Sequence, residues 1–413
     1  MINEFYDIHC HAHTLAHPSF LALLENVRGR TLETLYSQAT SFNYLVSSLL
    51  HNGGEKLRNT LSVMENEPGD IFSIMEDDLA GRYSAGEGEE AVLCDGKLIV
   101  GDTSYDKLIL VPLLIDFDQP GTLHSNTYYN KSPHKPIEAQ ILDILMGIRA
   151  YRRRRPAGFL EICPFLGVNP KFHTPKSMEI FLDRWFSGFE RTRERSAGVF
   201  ETLRDADSID LSKPGAFFGG IKLYPPLGFD PWPANQTERA TVKLLYSFCE
   251  KHKVPITTHC DDGGFRTISM EAAWRQTDPA SYRPALQEYP DLIIDFAHFG
   301  SQYSKTILGG TKTDWRDSII ALMLEYPNIY TDISFNGVDP SYYDSLIALL
   351  AAMPGAQKEI VQQRIMFGSD FLVNLLKSPS YLRYFLDFSK SGLDSELKIA
   401  LGSTNPHAFL FGD

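Results

Sequence analysis

The chain opens with the stretch FYDIHCHAH over residues 5–13, which reads as a β-strand running into a loop. Side chains of a strand point alternately to its two faces, so His9 and His11 point the same way, one pleat apart. Two imidazoles held this closely on a rigid strand form half of a site for Zn²⁺ or a similar borderline metal ion. The other half of such a site must come from elsewhere in the chain.

Short apolar runs that read as strands recur along the chain, and helix-like segments separate them, as in βα units built around a parallel sheet. Eight such strands are predicted, near residues 5–10, 108–115, 159–167, 217–224, 255–259, 292–298, 328–333 and 364–369. Helices are predicted between them, for example at 138–153, 238–252, 314–326, 342–352 and 380–389. Eight parallel strands with crossover helices predict an α/β fold of the (β/α)₈ TIM-barrel type.

Residues 15–104 interrupt this rhythm, because they are too many for a single crossover helix between the first two strands. Residues 32–50 read as a helix, and residues 90–100 read as a hairpin turned at Asp95-Gly96, a pair that favours a type I′ turn. We predict a catalytic barrel domain formed by residues 1–14 and 105–413. The insertion over 15–104 is expected to emerge at the C-terminal face of the barrel, over the active site.

The bulk composition fits a soluble globular enzyme. Of the 413 residues, 43% are hydrophobic and 22% are charged, which is ordinary for this class. The net charge of −13 argues against a general affinity for nucleic acid or for an anionic membrane. The five cysteines are scattered without a Cys-x-x-Cys pair, which fits a reducing compartment. Since no signal-peptide pattern and no apolar run of membrane-spanning length is present, a cytoplasmic protein is expected.

Four later strands of the predicted set each end on an ionisable residue, namely Lys222, His259, His298 and Asp370. The first three follow one another at intervals of 37 and 39 residues, about one βα unit each, and the fourth follows after 72 residues, about two units. Together with the histidines of the first strand they belong to strands one, four, five, six and eight. Because barrel enzymes keep their catalytic groups at the C-terminal ends of strands, we expect all six side chains at one mouth.

This ordered set resembles the amidohydrolase superfamily and, within it, the amidohydrolase-related (Amidohydro_2) branch. The resemblance covers nearly the whole chain apart from the insertion. The motifs that carry it are Asp7-x-His9-x-His11, Gly220-Ile221-Lys222, Thr258-His259, Ala297-His298, Phe367-Gly368-Ser369-Asp370 and Asn405-Pro406-His407-Ala408-Phe409-Leu410-Phe411. The resemblance implies a metal-dependent enzyme on a TIM barrel.

The same resemblance implies roles for individual residues. A divalent metal ion, with Zn²⁺ as the first choice and Mn²⁺ as the alternative, is expected to be held by His9, His11, His259 and Asp370. His298 is expected to work beside the ion in proton transfer, and Asp370 is the candidate general base toward a metal-bound water. Lys222 stands where binuclear relatives carry a carboxylated lysine that bridges two ions. Many members of the branch carry this lysine unmodified, so we expect one ion, and Lys222 could equally bind a substrate anion or pair with a carboxylate.

Three further residues are candidates for contacting the substrate. Arg266, in the loop after the strand-five histidine, has the guanidinium group that clamps carboxylates. Tyr224 could donate a hydrogen bond, although packing is the commoner role, and His13 lies in the loop after the first strand. Asp7 is on the same face as His9, where it could orient an imidazole or make a buried structural hydrogen bond.

The leading functional hypothesis is a hydrolase that uses a metal-activated water to attack a carbonyl-type carbon of a small polar amide, lactone or ester. The alternative is a metal-dependent decarboxylase or hydratase acting on a small unsaturated or aromatic acid, since the branch includes such enzymes. The acidic charge disfavours a phosphoesterase, and the full set of candidate groups disfavours a scaffold without catalysis. The expected partner is a small-molecule substrate, and a homo-oligomer is an expectation at the level of the family.

Overall fold

The structure is a computed structural model that describes residues 3–17, 54–83, 90–117, 136–205, 215–264, 266–303 and 314–412. Each of the eight predicted strand positions contains an observed strand. The strands of the described residues are β1 Glu4–Cys10, β2 Leu93–Cys94, β3 Lys97–Val100, β4 Thr103–Tyr105, β5 Lys107–Pro112, β6 Leu160–Ile162, β7 Phe165–Gly167, β8 Gly220–Leu223, β9 Ile256–Thr258, β10 Ile294–Phe296, β11 Ile329–Asp332 and β12 Ile365–Met366.

The principal strands form two parallel sheets. One sheet has the order β1-β5-β6, and the other has the order β12-β11-β10-β9-β8-β7. Single parallel bridges link the two sheets at both ends, one between Leu113 and Phe165 and one between Cys10 and Phe371. The prediction of a mixed α/β fold with parallel sheets is confirmed. Among the described residues, however, the ladder of hydrogen bonds between strands is interrupted, so these strands do not form a continuous closed barrel.

One interruption has a clear cause in the sequence. The strand predicted over residues 159–167 is divided into β6 and β7 at Pro164, which has no N–H group to donate to a ladder. The Cys163 N–H still donates to Leu110 of β5 (2.8 Å), whereas the Pro164 carbonyl accepts from Gly219 just before β8 (2.9 Å). The chain therefore passes from one sheet to the other at this proline.

Helices connect the parallel strands, as such crossovers require. In the described residues they are α1 Gly54–Met64, α2 Pro68–Leu79, α3 Ile137–Arg154, α4 Pro175–Phe186, α5 Arg193–Asp205, α6 Gln236–His252, α7 Met270–Thr277, α8 Arg283–Glu288, α9 Trp315–Glu325, α10 Ser341–Ala352, α11 Gly355–Gln362, α12 Tyr381–Ser389, α13 Ser395–Ile399 and α14 Asn405–Phe411. The five predicted helices are confirmed as α3, α6, α9, α10 and α12. Within the described ranges, none of the helices combines the length and apolar character needed to cross a lipid bilayer.

The insertion differs from its prediction in position. The hairpin predicted at Asp95-Gly96 is confirmed as β2–β3, and both turn residues have the positive φ angles (50° and 71°) of a type I′ turn. It lies, however, at the amino ends of the parallel strands, because β4 leads directly into β5 and Tyr105 packs on Phe5 at the start of β1. In the described part of the insertion, α1 lies beside residues 373–376, near the carboxyl end. The helix predicted over 32–50 lies outside the described residues.

Two glycines allow α2 to pack closely on α3. A Cβ atom added at Gly147 would lie 2.6 Å from Cβ of Pro68 and 2.8 Å from the main-chain nitrogen of Gly69. Both distances are shorter than van der Waals contact, and a main-chain atom cannot move aside as a flexible side chain does. This close approach attaches the described part of the insertion to the helix that follows the second barrel strand.

Replacing Gly147 by Ala is therefore expected to destabilise the protein although alanine is the better helix former. Overpacking costs about 1–3 kcal/mol, which exceeds the gain in helix propensity of about 1 kcal/mol. Gly198 is the matched control, since it lies inside α5 and an added Cβ meets nothing within 4 Å. Denaturant unfolding should show a loss for Gly147→Ala and no loss for Gly198→Ala. Equal stabilisation by both would disprove the close contact.

Candidate metal centre

Two histidines of β1 and an aspartate beyond β12 meet at the carboxyl ends of their strands. His9 and His11 point to the same face, as predicted, with ring centroids 5.3 Å apart. Their Nε2 atoms lie 3.6 Å and 3.2 Å, respectively, from Oδ1 of Asp370. All three side chains are buried. The structure thus brings three of the four predicted metal ligands into one cluster.

The backbone around Asp370 explains how its carboxylate reaches the histidines. The Asp370 N–H donates to the main-chain carbonyl of His9 (2.7 Å), so the segment after β12 continues alongside β1. Asp370 itself has a φ of 56°, in the left-handed region where Asp and Asn are enriched among non-glycine residues. The turn directs the side chain back toward the end of β1.

Hydrogen bonds assign the protons of the two β1 imidazoles. Nδ1 of His9 lies 2.8 Å from Oδ2 of Asp332, and Nδ1 of His11 lies 2.9 Å from the main-chain carbonyl of Leu113. Both partners are acceptors when Asp332 is ionised, so each Nδ1 carries the ring proton. Although burial acts to raise the pKa of Asp332, the interactions with His9 and His298 hold it well below its ordinary value. Whenever such a ring is neutral, its Nε2 bears the lone pair.

The atoms that face one another in this cluster are Nε2 of His9, Nε2 of His11 and Oδ1 of Asp370. Burial and the charge of Lys222 lower the pKa of His9 to about 3, so this ring is neutral at pH 7. Burial raises the pKa of Asp370, but the hydrogen bond with His11 and the neighbouring imidazoles outweigh it and keep the carboxyl ionised. A divalent cation is the natural partner for such a set. Ligand atoms around tetrahedral Zn²⁺ lie about 3.3 Å apart, which the distances to Asp370 match.

The remaining predicted ligand, His259, belongs to a second cluster. Its Nδ1 lies 3.2 Å from Nε2 of His298, and its Nε2 lies 3.2 Å from Oδ1 of Asp261. The other Asp261 oxygen is 3.8 Å from Nε2 of His298. The ring of His298 is 4.8 Å from that of His9 and 5.0 Å from that of His259, so it lies between the two clusters. The predicted set of four ligands is therefore divided by His298.

Lys222 lies in the interior on β8, and no described residue forms a hydrogen bond with its Nζ atom. Burial lowers its pKa, although the charges of Asp332, Asp295, Asp370 and Asp261 act to raise it. The predicted pairing of Lys222 with a carboxylate through a direct hydrogen bond is therefore absent among the described residues. A free buried amino group is compatible with both carboxylation and the binding of an anion.

The three residues predicted to contact the substrate, Tyr224, Arg266 and His13, lie in different parts of the site. Tyr224 stacks on the ring of His259, with centroids 4.4 Å apart. Arg266 is half-buried in the following loop, and no described residue holds its guanidinium. His13 stacks on the outer side of the first cluster, against His11 (4.9 Å), and its Nε2 has no hydrogen-bond partner among the described residues. Tyr224 is therefore beside the second cluster and His13 beside the first.

Sequence reasoning missed three residues of the site, Asp261, Asp332 and Ser334. Asp332 ends β11, and Asp261 follows His259 by two positions, so the rule that strand ends carry the site applies to both. Asp7, in contrast, does not orient an imidazole. Its carboxylate accepts from the N–H and hydroxyl of Ser369 (2.8 and 2.6 Å) and from the hydroxyl of Tyr381 (2.8 Å), so its role is the structural one.

Comparison with known proteins gives a family match. The amidohydrolase family model (Amidohydro_2) matches residues 201–412, slightly more than half of the chain. No curated protein matches. One similar solved structure is a probable 2-pyrone-4,6-dicarboxylic acid hydrolase from Acinetobacter baumannii with citric acid bound (14% identity, TM-score 0.38, 75% of this chain and 84% of that one). Another is an amidohydrolase from Mycobacterium avium subsp. paratuberculosis (12% identity, TM-score 0.34, 74% and 71%). With such low scores, the assignment rests on the family model.

Proposed function

The chain belongs to the amidohydrolase family, and we propose that it is a metal-dependent hydrolase acting on a small polar amide, lactone or ester. Membership of the family makes the protein an enzyme of the hydrolase or lyase kind. Hydrolysis at a carbonyl-type carbon is our proposal within that range.

The observation that supports the proposal is the convergence of His9, His11 and Asp370. The Nε2 atoms of the two rings lie 3.6 and 3.2 Å from one carboxylate oxygen, and the Nδ1 atoms of both rings face other acceptors. These three atoms are of the kinds that bind Zn²⁺ in proteins, and a divalent cation would bind all three at once.

We propose that these three residues hold a single ion, with Zn²⁺ as the first choice, and that His259 from the neighbouring cluster is the fourth ligand. A divalent cation bound there lowers the pKa of a coordinated water toward neutrality and polarises a carbonyl oxygen. Asp370 is the proposed general base, which takes the water proton and returns it to the leaving group. His298, whose Nε2 lies 3.2 Å from Nδ1 of His259, is the proposed second proton carrier.

The residues around the two clusters suggest roles in binding the substrate. Arg266 is the proposed partner of a substrate carboxylate, because its guanidinium is half-buried and held by no described residue. Tyr224 and His13 are proposed to line the substrate site, and Lys222 to remain unmodified and contribute charge. For the architecture we propose a (β/α)₈ barrel from residues 1–14 and 105–413, a closure that the two bridges between the sheets support.

The test is turnover of a panel of small amides, lactones and esters by the full-length protein in water enriched in ¹⁸O. With Zn²⁺ or Mn²⁺ added, we expect hydrolysis that places the label in the new carboxylate. Removal of the metal ion with a chelator should abolish the reaction, and re-addition should restore it.

Two outcomes would contradict the proposal. Release of CO₂ from an unsaturated or aromatic acid without ¹⁸O in the product would identify a decarboxylase. Tight binding of Zn²⁺ without turnover of any member of a broad panel, acids included, would favour a scaffold.

A further inference from the structure

Three polar residues alternate along the segment that begins at the end of β11, and all three contact His298. They are Asp332, Ser334 and Asn336, separated by one residue each and all buried. The proposed mechanism gives a role to the ring of His298 but does not explain what holds that ring in place. The contacts of these three residues supply an explanation.

The backbone of His298 is held in an unusual conformation. His298 and Phe299 have φ angles of 62° and 48°, and Gly300 follows with 63°, so three successive residues are in the left-handed region. Non-glycine residues adopt this conformation at an energetic cost and keep it only where their surroundings fix it. Here Oδ1 of Asp332 accepts the His298 N–H (2.9 Å), and Nδ2 of Asn336 donates to the His298 carbonyl (2.9 Å).

The hydroxyl of Ser334 determines which ring nitrogen of His298 carries the proton. Its oxygen lies 2.9 Å from Nδ1 of His298, and its single hydrogen is donated to Oδ1 of Asp332. A hydroxyl has only one hydrogen to donate, so it must accept from the imidazole. The main-chain carbonyl of Ser334, 3.2 Å from the same Nδ1, is also an acceptor. Both contacts require a proton on Nδ1, so in the neutral ring the lone pair is on Nε2.

The same pair of residues also contacts the first cluster. Oδ2 of Asp332 accepts from Nδ1 of His9 (2.8 Å), and Oγ of Ser334 lies 3.0 Å from that nitrogen. Asp332 in addition accepts the Ser334 N–H (2.9 Å). His9 and His298 are thus oriented by one carboxylate.

We propose that Asp332, Ser334 and Asn336 form a positioning clamp that fixes both the backbone and the Nδ1-protonated tautomer of His298 and ties this ring to His9. The clamp residues touch no reacting atom and act through the two imidazoles. The value of the clamp for catalysis rests on the proposed function, because it directs Nε2 of His298 toward His259, the proposed fourth ligand, 3.2 Å away. The tautomer itself does not depend on that function and can be measured separately.

The test is ¹⁵N NMR of the ring nitrogens in the full-length protein labelled at histidine, recorded after treatment with a chelator and again with Zn²⁺. The signals of His298 are identified by their loss in His298→Gln. In the wild type we expect a protonated Nδ1 and an unprotonated Nε2. In Ser334→Ala we expect the ratio of the two tautomers to shift by on the order of 5-fold toward the Nε2-protonated form, which is the net value of one hydrogen bond.

Thr331→Val is the matched control, since this buried hydroxyl on β11, three residues before Ser334, donates to the carbonyl of Phe296 and not to an imidazole. It should leave the His298 signals as in the wild type. If Ser334→Ala does not fold, Ser334→Cys keeps the volume of the side chain and replaces the hydroxyl by a weak hydrogen-bonding group. An unprotonated Nδ1 in the wild type, or a variant of Ser334 that folds and keeps the wild-type ratio, would overturn the clamp. Because the chelated protein contains no metal ion and turns over no substrate, failure of the proposed function would leave this result unaffected.

Discussion

Replacing Asp370 by Asn is expected to lower the affinity for Zn²⁺ by more than about 100-fold, because loss of even an outer partner of a ligand costs 10- to 100-fold. The amide oxygen is neutral, and the amide N–H₂ group would face the Nε2 lone pairs of His9 and His11 if it turned toward them. Turnover should fall by a further factor of about 10²–10⁴, the usual contribution of a general base. Isothermal titration with Zn²⁺ measures the first effect, and steady-state rates at saturating Zn²⁺ measure the second.

The choice of Asn separates the charge of this residue from its backbone role. Asp370 has a φ of 56°, which Asn tolerates and a β-branched residue does not. Asp317→Asn, at an exposed position in the first turn of α9, is the control and should bind Zn²⁺ as the wild type does. If Asp370→Asn kept the wild-type affinity and rate, neither a ligand nor a base role for this carboxylate could stand.

The largest loss of stability is expected for Arg193→Ala, at the opposite end of the strands. Arg193 begins α5 and forms paired hydrogen bonds with two glutamates, Glu4 of β1 (2.7 and 2.9 Å) and Glu161 of β6 (2.6 and 2.9 Å). Glu161 is only 3% exposed, so removal of its partner leaves a buried charge. Breaking a buried pair in this way costs about 3–5 kcal/mol of unfolding free energy, which denaturant unfolding at neutral pH would measure.

Arg204→Ala is the control on the same helix. Its ion pairs with Asp205 and Glu201 are exposed, and exposed pairs are worth about 0–1 kcal/mol. Equal losses for Arg193→Ala and Arg204→Ala would show that the pair with Glu161 is not buried in solution.

Acid should reduce the difference in stability between the wild type and Arg193→Ala. Burial acts to raise the pKa of Glu4, but the hydrogen bonds from Arg193 and Tyr6 outweigh it and lower the pKa below its ordinary value. A carboxyl group whose pKa is lower in the folded than in the unfolded protein stabilises the fold at pH values above its unfolded-state pKa. This stabilisation is lost as the pH falls through its folded-state pKa. The unfolding free energies of the two proteins, measured from pH 7 down to about pH 3, should therefore approach each other. A constant difference would contradict the assignment.

The parts of the fold that the sequence predicts are those set by local pattern. The apolar runs predicted all eight positions at which parallel strands are observed, and the alternation of side chains placed His9 and His11 on one face. Asp370 was found because it follows the last predicted strand, and the strand-end rule holds whatever the intervening loops do. The Asp95-Gly96 turn was predicted from the residue pair alone, since few other pairs accept two positive φ angles.

The parts that sequence reasoning did not reach depend on packing between distant segments. Asp332 and Ser334 contact histidines 34 or more positions away, so these contacts depend on packing between distant segments, although the strand-end rule applies to Asp332. The place of His259 in a second cluster depends in the same way on its contacts with His298 and Asp261. The position of the insertion follows from topology, because a parallel crossover must return from the carboxyl end of β1 to the amino end of β5.

The most direct test of the metal centre is a crystal structure of the zinc-loaded protein with anomalous diffraction recorded on both sides of the zinc absorption edge. We predict a zinc peak about 2.0–2.2 Å from Nε2 of His9, Nε2 of His11 and a carboxylate oxygen of Asp370. A well-ordered site without a zinc peak, or zinc bound only elsewhere on the molecule, would contradict it.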